Sequence, residues 1–122
     1  MSRAVGRNVV RRDAAAKAAG TARYVDDLTL PGLLYGRTVR SSVPSAGVSG
    51  LRLDFDTAGF TIVTARDIPG RNVVSLITDD QPCLVEGRVR HVAEPVVLLA
   101  HEDRERLMAA RVDIDYRAED PV

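Results

Sequence analysis

One thiol, two imidazoles and two adjacent carboxylate pairs are the groups of this 122-residue chain whose types could support catalysis. Cys83 is the single cysteine. Without a C-x-x-C partner, such a thiol is more often a small apolar filler than a nucleophile or ligand, and an iron–sulfur cluster needs four thiolates. His91 and Glu94 have the H-x-x-E spacing that brings two side chains to one metal on a helix. Pro95 disfavours a helix there, so a structural or surface role is expected for both. His101 stands where a helix is predicted to begin and reads as a capping or exposed group. Asp26-Asp27 and Asp79-Asp80 are neighbours, not an acid and a base spaced across a cleft. Carboxylates so placed in turns bond backbone N–H groups, a reading preferred here over catalysis or calcium binding. Arg11-Arg12 has neither a glycine-rich cradle nor interleaved aromatics to mark a phosphate site, and is expected in a solvated arm. Gly32, Gly59 and Gly70 fall at turns. Tyr24, Tyr35 and Tyr116 read as packing anchors whose hydroxyls find partners. No catalytic, cofactor-binding or metal-ligating residue is assigned.

The charges balance at 17 of each sign, which argues against a surface made for nucleic acid or an anionic membrane. Their distribution is uneven. Residues 1–23 carry Arg3, Arg7, Arg11, Arg12, Lys17 and Arg23 against Asp13, a net of +5, whereas residues 102–120 carry seven acids against four bases, a net of −3. A basic N-terminal arm lying against something acidic, such as the chain's own C-terminal segment, is the expectation. The lone cysteine excludes an internal disulfide and fits a reducing compartment. No apolar stretch follows the early arginines as in a secretory signal. The run Val96-Val97-Leu98-Leu99-Ala100 is too short to cross a bilayer. A cytoplasmic protein is expected.

The elements that must position these groups follow from period and punctuation. Residues 1–20 read as a basic, alanine-rich arm with a helical turn at 13–19, and residues 21–122 as one domain. Strands are predicted at 34–40, 48–55, 60–64, 89–92, 95–100 and 112–116 from alternation or apolar continuity. A loop is predicted at 41–50, a turn at 66–70 and a polar loop at 78–82. Residues 101–111 form the one clear helix, rich in good formers, with Glu102, Asp103 and Glu105 in its first turn. Val96, Val97, Leu98 and Leu99 are expected in a central strand beneath the helix bearing Leu107 and Ala110. Mostly strands with one C-terminal helix packed on the sheet is an α+β pattern.

Several motifs stand in order. Lys17-Ala18-Ala19-Gly20-Thr21-Ala22-Arg23-Tyr24-Val25-Asp26-Asp27 precedes Pro31-Gly32-Leu33-Leu34-Tyr35 and Val39-Arg40-Ser41. Val63-Thr64-Ala65-Arg66-Asp67-Ile68-Pro69-Gly70, Asp80-Gln81-Pro82 with Leu84, Val89-Arg90-His91-Val92-Ala93-Glu94-Pro95-Val96 and Val112-Asp113-Ile114-Asp115-Tyr116 follow. Together they resemble the α/β-hammerhead domain that opens the molybdopterin-binding large subunit of the xanthine dehydrogenase and aldehyde oxidase family. Three departures from its pattern are visible: Ser45 in place of histidine in P-H-A, Ala93 in place of glycine, and a shortened segment between Asp56 and Phe60. The resemblance implies an oxidoreductase that hydroxylates purines or aldehydes, with molybdopterin-bound molybdenum, [2Fe–2S] clusters and FAD held on other segments or subunits. It also implies that the family's molybdenum ligands, pterin contacts and glutamate base lie C-terminal to the hammerhead, so no catalytic residue transfers to this sequence. A structural domain contacting the molybdenum-binding, iron–sulfur and flavin parts is the leading expectation. A free-standing scaffold with a borrowed fold is the alternative, and a small hydrolase using His91, Glu94 and Cys83 a weaker one.

Overall fold

The computed structural model describes Gly6, residues 8–75 and residues 77–118. Arg3, Arg7, Leu76 and the Asp120-Pro121-Val122 end lie outside the described residues. The chain divides into two compact units, Met1–Pro31 and Gly32–Val122.

In the first unit, Ala14–Ala18 forms α1. Alanine is the best helix former, and Lys17 Nζ reaches back 2.7 Å to Asp13 Oδ2, an i,i+4 pair. Arg11 Nε meets the other carboxylate oxygen at 2.6 Å. The helical turn expected at 13–19 is therefore present. A 3₁₀ turn follows at Val25–Asp27, closed when Asp27 Oδ2 accepts the Tyr24 N–H at 2.8 Å.

The second unit holds β1 (Tyr35–Arg40), β2 (Ala46–Asp54), β3 (Thr61–Val63), β4 (Arg88–Val89), β5 (Pro95–His101), α2 (Arg104–Ala109) and β6 (Arg111–Arg117). Two three-stranded antiparallel sheets result, ordered β1-β5-β3 and β4-β2-β6. The α+β expectation holds, and α2 joins the last two strands. β5 is central in the first sheet, paired with β1 on one side and β3 on the other.

Its alternation divides the side chains unequally. Val97 and Leu99 lie fully buried with Leu107 and Ala110 of the α2 segment, while Val96 joins Val85 and Val89 in a second cluster. Leu51 packs against both clusters and ties the sheets together. Leu98 is only half-buried, so the expectation that all four residues lie beneath the helix is corrected. A strand sends successive side chains to opposite faces, and Leu98 follows Val96 away from α2.

Other boundaries also shift. β2 begins at Ala46, so Gly47 and Gly50 lie within a strand rather than the expected 41–50 loop. The pairing with β6 slips between Val48 and Gly50, and this bulge accommodates them. The helix is shorter than the expected 101–111. Asp103 caps it by accepting the Glu105 N–H at 2.8 Å and the Arg106 N–H at 3.1 Å. Ala110 has left the helix, at ψ 122. The strand expected at 89–92 is confined to Arg88–Val89, because residues 91–93 turn.

Candidate functional site

The densest polar arrangement in the second unit sits where β1 ends, β5 begins and β6 passes. Ser41 is 4% exposed and Glu94 2%. The Ser41 N–H donates to the Glu94 carbonyl at 2.9 Å, and the Ala93 N–H donates to the Ser41 carbonyl at 2.8 Å. Ser41 Oγ donates to the Val43 carbonyl at 2.8 Å and accepts a hydrogen bond from the Tyr116 hydroxyl at 3.3 Å. Tyr116 Oη accepts the Ser42 N–H at 3.2 Å. Burial pushes the Tyr116 phenol up and is the largest single influence, but hydrogen bonds with Ser41 and Ser42 together bring it below its usual range. The Arg40 guanidinium closes the joint by donating to the Ala93 carbonyl at 2.9 Å.

Glu94 Oε2 accepts the Arg90 N–H at 2.6 Å. His91 Nδ1 lies 2.9 Å from the carbonyl of its neighbour Val92. The two side chains border a shared cleft of about 320 Å³ with Asp80 and Arg90, but Cys83, half-buried, does not line it. Among the described residues, no group of three or more His, Cys, Asp or Glu side chains is placed to hold a metal ion. Within the H-x-x-E run, the Glu94 carboxylate is taken by the Arg90 backbone N–H, and Ala93 between the pair adopts φ 66.

Several of the remaining candidates are engaged locally. His101, expected as a capping or an exposed group, is 3% exposed at the end of β5, so exposure is corrected, and it bonds the residue that caps α2. Its Nδ1 accepts the Asp103 N–H at 2.8 Å, and its ring lies 4.4 Å from that of Phe60. Gly59 makes this possible, because a Cβ there would stand 3.1 Å from His101 Nε2, and its φ of 81 suits glycine. Asp27 closes its own turn. Asp79 meets Arg71 at 2.5 Å; a hydrogen bond from Ser75, then that from Arg71, hold its carboxyl below the usual range.

Sequence reasoning missed Asp67, which accepts both the Thr64 N–H (2.8 Å) and hydroxyl (2.7 Å). The T-x-x-D spacing, close to a capping box, was the available signal. It also missed Arg37, whose guanidinium donates to the carbonyls of Met108 (2.9 Å) and Ala110, satisfying the end of α2. That contact spans more than seventy residues and has no local signature.

A larger cleft, about 450 Å³, opens between β2 and the segment after β3, with Val48, Leu51, Val85 and Val96 on its apolar walls and Arg66 and Glu86 also lining it. A cleft of this size is in the range that accepts ligands or peptide segments.

Two small sheets held by one helix and a polar joint, with carboxylates used in caps and turns, define a structural module of the α/β-hammerhead class. Residues 19–120 match the family described as aldehyde oxidase and xanthine dehydrogenase, a/b hammerhead domain. The chain is 34% identical over 113 residues to a probable xanthine dehydrogenase subunit from Bacillus subtilis (strain 168), covering 88% of this chain and 15% of that one. It is 32% identical over 117 residues to the nicotinate dehydrogenase large molybdopterin subunit of Eubacterium barkeri, covering 92% and 28% respectively. The solved Cu,Mo-CO dehydrogenase superposes with a TM-score of 0.77 at 25% identity, over 93% of this chain and 15% of that chain. The chain belongs to the aldehyde oxidase and xanthine dehydrogenase hammerhead family. It spans less than a third of the length of these relatives.

Proposed function

We propose that this chain is the structural and interface domain of a cytoplasmic molybdenum hydroxylase. The observation supporting the reading is the proportion of the match: the family domain fills most of this chain, yet only 15% and 28% of the two relatives. In the reading, the parent enzyme hydroxylates purines or aldehydes. Molybdopterin-bound molybdenum, [2Fe–2S] clusters and FAD sit on other segments or subunits, and these are the partners. The chain's one cysteine does not fit an iron–sulfur cluster, which needs four thiolates. What this chain contributes is a rigid pair of sheets whose polar joint and helix caps fix their mutual orientation.

Expression of the chain alone and together with the molybdopterin-binding polypeptide of its source organism tests the reading. The two polypeptides are expected to co-purify, with molybdenum and iron following the partner. Molybdenum or iron near one per chain in the isolated protein, or oxidation of a purine or aldehyde by it, would overturn the structural assignment.

A further inference from the structure

β2 and β3 are joined by a short turn and belong to different sheets. At the turn joining them, the Phe55 and Phe60 rings pack with centroids 4.7 Å apart. At the far end, Val48–Leu51 of one and Thr64–Arg66 after the other line the 450 Å³ cleft. The two strands do not pair across it: β3 bonds β5, and β2 bonds β4 and β6. β4 is short. It pairs with Ala46 and Gly47, and the Gly87 carbonyl takes the Val48 N–H at 2.7 Å. Among the described residues, 50–54 pair only with β6, and Ser49 is the bulge residue with no partner in the register. Roughly 20 Å of backbone edge, at about 3.3 Å per residue, is therefore left without a neighbouring strand among the described residues, and its Ser49–Leu51 half lines the cleft. Among the described residues, the outer edge of β3 is likewise unpaired.

An open edge usually carries protection. Charged side chains, proline and covering loops keep such edges from templating another strand. The β6 edge bears Arg111, Asp113, Asp115 and Arg117 in alternation. β2 carries exposed Arg52 and Asp54 toward the turn, but along the cleft it presents Val48, Ser49, Gly50 and Leu51, without a charge, over a floor made by Val85 and Val96 of the second core cluster. Arg66 and Glu86 are exposed and make no ion pair or hydrogen bond through their side chains with other described residues. Unpaired backbone, apolar floor and free charges of both signs are the parts of a strand-addition site, where main-chain bonds supply affinity and alternate side chains supply specificity.

We propose that the β2–β3 cleft receives an extended segment of the parent's molybdopterin-binding polypeptide, which adds as a strand beside β2 and completes a continuous surface from β6 to β5. The assignment of the occupant rests on the proposed function. The relatives place this domain within polypeptides more than three times its length, so a long neighbouring chain is available. The occupying segment should alternate, with apolar residues toward Val85 and Val96 and charged residues that meet Arg66 and Glu86.

Binding of the full chain to the separately expressed molybdopterin-binding polypeptide of the same organism tests this, read by titration and by amide hydrogen exchange. Ala65→Trp fills the mouth of the cleft and is expected to weaken binding about 10-fold or more. Arg66→Glu with Glu86→Arg alters only exposed, unpaired side chains and is expected to weaken it by about 3- to 10-fold without moving the urea midpoint. Exchange at 49–54 and 61–63 is expected to slow on binding. Wild-type affinity in both variants, with no slowing at those amides, would overturn the strand-addition site while leaving the proposed function standing. Failure of the wild-type chain to bind would overturn both. Self-association of the isolated chain, abolished by Ala65→Trp, would give the cleft to a second copy and also overturn the proposal.

Discussion

Ala93 is the only non-glycine among the described residues with positive φ, and it sits inside the joint that holds Ser41, Glu94 and Tyr116. The left-handed conformation costs an L-residue roughly 1–2 kcal/mol. Glycine removes that strain but adds about 0.4–1 kcal/mol of unfolded-state entropy. Ala93→Gly is therefore expected to raise stability by about 0.5–1 kcal/mol, and Ala93→Val to lower it by at least about 1 kcal/mol. Urea titration of the two variants checks both signs; destabilisation by glycine would show that Ala93 is held by contacts its methyl group supplies. Glycine is the residue the resemblance implies at this position, and a φ of 66 is a conformation that glycine adopts without strain.

The capping carboxylates make a second residue-scale expectation. Asp103 is held below the usual carboxylate range first by the Arg106 N–H, with a smaller opposing push from burial, then by the Glu105 N–H and the charges of His101 and Arg106. Asp67 is lowered by the Thr64 N–H and then its hydroxyl. A carboxyl whose folded pKa is depressed stabilises above its unfolded value, near 3.9, and that contribution disappears as pH falls through the folded value. The urea midpoint is thus expected to stay level from pH 7 to about 5 and to fall below about 4. Asp103→Asn, which retains a cap, should flatten part of that acid limb. An unchanged slope would exclude Asp103 as a contributor.

At the scale of elements, the central strand makes the sharpest test of packing. Leu99 is fully buried against Leu107, Ala110, Phe60 and Ile62, and Leu99→Ala is expected to cost about 2–5 kcal/mol. Leu98→Ala, on the half-buried face, is expected to cost less than half as much. Equal losses in a denaturant series would mean that both faces of β5 are covered. This difference also marks what the sequence could and could not disclose. Period and apolar continuity placed β1, β3, β5 and β6 within a residue or two, because burial on a pleated surface leaves its trace in the order of side chains. An unbroken run such as Val96-Val97-Leu98-Leu99 has no alternation, so it cannot say which face meets the helix. Gly47 and Gly50 read as loop because their acceptance in β2 depends on a bulge against β6. His101 read as a helix start because only the fold puts Gly59 and Phe60 over it. The T-x-x-D cap was visible in local spacing, whereas Arg37 capping α2 and the β2–β3 cleft arise from tertiary placement alone.

For the whole molecule, the parent assembly is the decisive context. Arg11 and Lys17 share Asp13, which leaves Arg12 and Arg23 as the cations of the first unit without partners among the described residues. If the basic arm contributes to association, binding should weaken as salt rises from about 0.05 to about 0.5 M, on the order of the fall in Debye length from about 14 to about 4 Å. Arg12→Glu should weaken it further at low salt only. Salt-independent binding would assign the association to apolar contact instead. The most direct measurement is molybdenum counted per polypeptide after size-exclusion chromatography, for the isolated chain and for the chain mixed with the molybdopterin-binding polypeptide of its source organism. An interface domain is expected to elute alone without stoichiometric molybdenum, and to shift into a complex carrying the metal once the partner is present. A chain that retains molybdenum near one equivalent by itself, or that never enters the complex while both polypeptides are folded, would contradict that role.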